Sequence, residues 1–242
     1  SPNGRGKIEE APIEQNMHEG AGVKTQRITF VDTAGIRRKA KVSGELEREG
    51  IGKSLKAIED SDIVLFVVDG LEPISHQDKQ LGSLIERHAK SVILLLNKWD
   101  LAKDNSQTKR TEAERMLRAE FPHLTFAPII LVSGLTGYRV HDIFPVIMHA
   151  WQARQVEIND HEMEAFLKSV IRQHAPARGK GTRQPEILAM RQLAANPPVF
   201  EILIKYRTSL HRSYLNFLEN KLREQFDLFA APVIIHMINM KR

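Results

Sequence analysis

The 242 residues are 42% apolar and 27% charged, with no cysteine; this excludes wholesale disorder, disulfides, thiolate metal sites and cysteine nucleophiles, and fits a reducing, cytoplasmic setting. No apolar run reaches the roughly 18 residues of a membrane span, and the opening SPNGRGKIEE has no apolar signal core. The net charge of +5 is uneven: residues 157–242 hold 13 Lys+Arg against 9 Asp+Glu, and residues 1–156 hold 22 against 21, which points to a polyanionic partner for the last third.

Residues 1–26 are polar and aperiodic and read as a tail or broken segment. Ile28–Val31 forms a short strand ending at Asp32, and Glu45–Asp60 carries Ile51, Leu55 and Ile58 at helical spacing. DIVLFVVD over 62–69 is a continuous apolar run, as expected of a strand covered on both faces. An amphipathic helix over 75–90 turns Leu81, Leu84 and Ile85 inward, and SVILLL over 91–96 is a second apolar strand. A helix over 108–120, a strand over 126–132 and a helix over 137–155 complete an α/β unit with a parallel sheet. The texture changes near Val156. Asp160 caps a helix running to about His174, followed by the basic loop ARGKGTRQP. A strand over 200–206, a long amphipathic helix over 210–227 and a closing strand over 232–237 make residues 157–242 a small α+β domain.

Three loops carry the chemistry, each directly after a strand. Asp32-Thr33-Ala34-Gly35 offers a carboxylate able to hold the water shell of Mg²⁺, and a glycine whose N–H can approach a γ-phosphate. Alone, it is also an ordinary Asp/Gly turn. Sixty-five residues past Asp32, Asn97-Lys98-Trp99-Asp100 places a carboxylate that can accept two hydrogen bonds from guanine N1–H and its amino group. Adenine has no such amino group and would leave that carboxylate unsatisfied, so discrimination is large. The Asn97 amide can reach the base edge and tie loops together, and the Lys98 stem can lie along the base plane. Ser133-Gly134-Leu135 is the third loop, with a backbone N–H for the guanine oxygen. Ligands bind at the carboxyl ends of strands in open α/β sheets, and all three loops fall there.

DTAGIRRK, SLKAIEDSDIVLFVVDG, NKWDLAKDN and NPPVFEILIKY…SYLNFLENKLREQFDL resemble the Der (EngA) family of bacterial double GTPases, over residues 27–242. The resemblance implies a Ras-like P-loop GTPase parallel sheet over 27–156 and a KH-like α+β domain over 157–242. It implies a GTPase switch in large-subunit ribosome biogenesis, with GTP or GDP and Mg²⁺ (through Asp32 and water), and a tail domain contacting rRNA or the GTPase domain. A preceding first GTPase domain, which these residues do not include, is expected with it. Ile36 stands where related GTPases place a water-orienting Gln, which implies potassium-assisted hydrolysis, and no catalytic residue is assignable.

No intact phosphate-loop signature or apolar first strand precedes Arg27. GIGKS at 50–54 ends correctly, but Glu47 stands where the leading glycine belongs, so Lys53 reads as helical surface. The alternative is therefore a degenerate GTPase remnant serving as an RNA- or protein-binding module. Arg37, Arg38 and Lys39 form a basic run on the switch. The tail lacks the GXXG clamp of KH domains, leaving Arg178, Lys180 and Arg183 as phosphate contacts and Tyr206 and Tyr214 as stacking or core aromatics. His161-Glu162 lacks the second histidine of a zinc motif.

Overall fold

The computed structural model describes residues 8–10, 27–31, 55–102, 104–178 and 183–240, and the chain divides into two compact units, Ser1–Ser61 and Asp62–Arg242. In the first unit β1 (Ile8–Glu10) pairs antiparallel with β2 (Thr29–Val31), with Glu9 opposite Phe30. This strand lies within the stretch read as a tail or broken segment. Three residues of Ile-Glu-Glu carry no period for a sequence pattern to detect. Residues 55–60 are helical; the rest of the helix expected from Glu45 lies outside the described residues.

The second unit starts with a parallel sheet in the order β3–β4–β5: β3 (Ile63–Asp69), β4 (Ser91–Asn97) and β5 (Ile129–Leu131). The central strand β4 is buried from Ser91 through Leu96, which explains its unbroken apolar run. β3 departs from expectation. Phe66 and Val68 are buried but Val67 is 51% exposed, so only one face of this strand is well covered. Among the described residues β3 is the sheet's edge, and a continuous apolar run does not distinguish an edge from a centre. β5 is shorter than the 126–132 predicted, because Phe126 and Ala127 turn into it; Pro128 O and Val132 N still bond to β4.

Helices link these strands. α1 (His76–Arg87) begins with a capping box in which Ser75 N–H and Oγ–H both donate to Asp78 Oδ2, at 2.9 and 2.7 Å. That pairing lets a carboxylate sit buried at the helix start. α2 spans Gln107–Glu120. α3 (Ile143–Ala153) starts later than the predicted Gly137: residues 138–142 form successive turns, and Pro145 falls in the first helical turn, where its missing N–H does no harm.

The last third is a three-stranded sheet covered by two helices. α4 spans Asp160–Gln173, but its cap is Asn159, not Asp160. Asn159 has extended backbone, its Oδ1 accepts from Glu162 N–H at 2.9 Å, and Glu162 reciprocates, which leaves Asp160 inside the first turn. β6 (Ile187–Ala194) pairs antiparallel with β7 (Val199–Ile204), and β7 pairs parallel with β8 (Ile234–Asn239). α5 (Arg212–Phe226) packs Tyr214, Leu218 and Leu222 into a core with Met163, Phe166, Phe200 and Ile202. Each such side chain contributes about 1.5–3 kcal/mol on full burial.

Within this second unit the two sheets are joined by specific contacts. Val92 N–H donates to Ala230 O at 3.2 Å, and the His149 ring stacks on Phe229 at 4.1 Å while its Nε2 lies 2.7 Å from Asp227 Oδ2. The Arg223 guanidinium lies over the Phe126 ring, 4.7 Å from its centroid.

Candidate nucleotide site

The carboxyl ends of β3, β4 and β5 lie side by side, because Asp69 is in register with Asn97 and Leu96 with Leu131. Three loops leave the sheet there, and each is held by the next. Asn97 Oδ1 accepts from Gly134 N–H at 2.9 Å, so the asparagine ties the loop after β4 to the loop after β5. Trp99 N–H donates to Val132 O at 3.1 Å and makes the same link with backbone atoms.

Lys98 adopts a left-handed backbone, φ +66°, which a side-chain-bearing residue takes only at a cost of order 1 kcal/mol. Its Nζ lies 2.5 Å from Asp69 Oδ2, so the ammonium is pinned to the end of β3. The Lys98 side chain is half exposed and that of Asp69 nearly buried, so the stem is laid across the strand ends. Trp99 begins a short 3-10 turn, Trp99–Leu101, which puts Asp100 in solvent one residue later. Trp99 itself is buried and anchors the turn: Nε1–H donates to Asn105 Oδ1 at 2.7 Å, which also accepts from Arg110 Nε at 2.9 Å. Arg110 reaches on to Tyr138 Oη at 2.9 Å.

In the third loop Ser133 is fully buried, and its Oγ accepts from Thr136 N–H at 3.1 Å. Leu135 is the opposite, 86% exposed on the turn, and offers an apolar surface to solvent. Gly70 completes the floor. Its N–H donates to Asn97 O at 2.8 Å, and a β-carbon there would lie 2.7 Å from that same oxygen. The result is a shelf with an exposed carboxylate, a lysine stem held by Asp69, an amide-bearing side chain and one exposed apolar residue.

Of the residues singled out from sequence, Asn97, Lys98, Asp100, Ser133, Gly134 and Leu135 share this end of the sheet. Asp32, Thr33, Ala34 and Gly35 lie outside the described residues, as do Arg37–Lys39, Lys53 and Lys180. Arg178 and Arg183 are exposed in the connection from α4 to β6. Sequence reasoning missed Asp69, Gly70 and the Asn105–Arg110–Tyr138 chain. The Asp-Gly pair closing an apolar strand was the available signal for the first two. Among the described residues no group of three or more His, Asp or Glu is placed to hold a metal ion.

The family model described as 50S ribosome-binding GTPase matches residues 9–98, beginning inside the stretch read as a tail. The KH-domain-like model of the C-terminal part of EngA bacterial GTPase enzymes matches residues 157–237. GTPase Der of Lactobacillus johnsonii is 39% identical over 215 residues, 87% of this chain and 48% of that one. GTPase Der of Caldanaerobacter subterraneus subsp. tengcongensis is 33% identical over 206 residues, 85% of this chain and 46% of its own. That of Fusobacterium nucleatum is 32% identical over 216 residues, 89% and 49%. Fold, strand-end shelf and matches together define a GTPase-type α/β protein with a KH-like C-terminal domain. The chain belongs to the Der (EngA) family of GTPases, and spans about half the length of the curated relatives it matches.

Proposed function

We propose that this chain binds guanine nucleotide at the ends of β3, β4 and β5 and serves as a GTPase switch on the large ribosomal subunit. Residues 27–156 form the nucleotide domain and residues 157–242 a KH-like domain. The observation that carries the reading is the hydrogen bond from Gly134 to Asn97 at 2.9 Å, with Lys98 pinned to Asp69. Together they preassemble the base side of a guanine pocket before any ligand arrives, so little ordering entropy is left for binding to overcome. Asp100 reads the guanine N1–H and amino group, the Lys98 stem and Leu135 cover the ring faces, and a backbone N–H of the Ser133–Leu135 loop meets the guanine oxygen.

On the phosphate side, Asp32 would hold Mg²⁺ and Gly35 would approach the γ-phosphate, with potassium as an assisting cation. Mg²⁺ would neutralise developing phosphate charge during hydrolysis. The KH-like domain contacts rRNA through Arg178, Lys180 and Arg183, in the cytoplasm.

Replacing Asp100 by Asn exchanges an acceptor for an amide and should shift preference from guanine to xanthine nucleotide. Titrating fluorescent GDP and XDP into both proteins tests this; equal GDP affinity in D100N rejects the assignment. The sequence has no G-x-x-x-x-G-K-[ST] run, and this favours a second reading, a binding module that keeps the base shelf without phosphate chemistry. On that reading neither GDP nor GTP binds at micromolar concentration.

A further inference from the structure

A cleft of about 400 Å³ opens on the C-terminal domain between the end of α4 and the start of α5, lined by none of the residues at the ends of β3, β4 and β5. Its wall is aromatic. Tyr214 is buried, and the His174 ring stacks on it with centroids 6.0 Å apart and planes within 22°. Phe217 meets the His174 ring edge-on at 5.3 Å. Tyr214 Oη–H donates to His174 O at 2.8 Å, which fixes the histidine backbone over the tyrosine. His174 itself is exposed, so this short aromatic pile ends in a ring that faces solvent.

The lining itself holds no Lys or Arg, and two exposed arginines adjoin it in sequence. His211 lines the cleft as the N-cap of α5, a 15-residue helix whose amide end favours an anion. Arg212 follows at once and is exposed. On the other side Pro176 and Ala177 line the cleft and the exposed Arg178 comes next. Gln184 Nε2–H donates to Pro176 O at 2.7 Å and holds this strand of the rim in place. No carboxylate lines the cleft. A stacking ring flanked by cations and a helix amide end matches neither an acidic peptide, which has no use for the platform, nor a duplex, whose bases are already stacked.

We propose that this cleft takes one unpaired nucleotide of single-stranded RNA. Its base stacks on the outer face of His174, and its flanking phosphates meet Arg212, the α5 amide end and Arg178. The proposal rests on the RNA reading of the C-terminal domain and gives it a site. Stacking supplies sequence-tolerant affinity, and the cations make it salt-dependent.

The test is fluorescence anisotropy of the full chain with a short labelled single-stranded RNA, and with the same RNA as a duplex, across a salt series. Wild type should prefer the single strand. H174A keeps the carbonyl that accepts from Tyr214 and should weaken single-strand binding by about 5-fold or more, with the salt slope unchanged. H174F keeps a stacking ring and should restore the affinity. R212Q should lower the slope by about 0.7, one single-strand phosphate contact. Equal binding of single strand and duplex, or wild-type affinity in H174A, overturns the site. If H174A binds normally while neutralising Arg178, Lys180 and Arg183 abolishes binding, the domain holds RNA elsewhere and only the cleft is refuted. If wild type binds neither RNA, the RNA reading fails, and the cleft with it.

Discussion

Removing the Arg154 guanidinium should weaken the coupling between the two sheets of the second unit. Arg154 follows α3 and is only 3% exposed. Its Nε–H donates to Asn196 Oδ1 at 2.7 Å, and one terminal nitrogen donates to Ser91 Oγ at 3.2 Å and, marginally, to Ala89 O at 3.5 Å. One side chain thus joins the start of β4 to the β6–β7 turn. Burial lowers its pKa from the ordinary arginine value, against the opposing pull of Asp62. The charge therefore bears a desolvation cost that no directly bonded carboxylate offsets.

Two effects compete. Hydrogen bonds to a charged group contribute about 1.5–3 kcal/mol each, and two of the three here have good geometry. Desolvation of the ion takes back part of that sum. Asn196 can rehydrate when its donor goes, because it is exposed, whereas Ser91 is fully buried and cannot. Truncation to Ala also empties the volume of the arginine stem. The net expectation for R154A is a loss of about 2–4 kcal/mol, and for a chain of this size each kcal/mol lowers Tm by about 2–4 °C. R154M keeps most of the stem volume and sheds the desolvation cost, so it should lose less than R154A. Differential scanning calorimetry measures both, and R154A should broaden or split the transition as the sheets melt apart. An R154A melt within about 1 °C of wild type, still a single transition, would refute the reasoning and make the buried guanidinium incidental.

G70A forces a β-carbon to within 2.7 Å of Asn97 O, a backbone atom that cannot swing aside. It should cost about 1–3 kcal/mol and displace the end of β4, weakening fluorescent GDP binding more than an exposed-site control does. Y214F deletes the hydrogen bond to His174 O and should cost about 1 kcal/mol in urea denaturation at neutral pH. Burial raises the Tyr214 pKa above 10.0, so the folded state favours the neutral phenol. Stability from this group is whole below pH 10 and is lost as pH climbs through the raised folded value, so wild type should fall faster than Y214F above pH 10. Parallel decline of the two would reject that origin.

The elements legible in advance were those whose own residues decide them. The apolar run of β4 and the amphipathic period of α5 require nothing from elsewhere. β6 was missed because ILAMRQLA is rich in helix formers, and only Ile187 and Met190 along it are buried. It is a strand because β7 offers a ladder, and a pairing partner is not written in the strand that uses it. Asp160 was read as the cap because its side chain can cap; the Asn159 side chain can too, and backbone geometry one residue apart decides between them.

The proposed nucleotide site divides along the same line. Asn97, Lys98 and Asp100 follow a strand that any reading of the sequence finds, so their function could be argued from position alone. The Lys98–Asp69 contact depends on register, which sets the end of β3 beside the end of β4. A slip of one residue would turn Asp69 to the other face and leave the lysine without that anchor. What fixes register here is the one-sided burial of β3: slipping would also move Val68 and Phe66 out of the core and carry Val67 in. The hydrophobic pattern that stabilises the sheet therefore also positions the lysine at the base shelf. A polar substitution at Val68 should accordingly disturb nucleotide binding as well as stability, although Val68 touches no ligand.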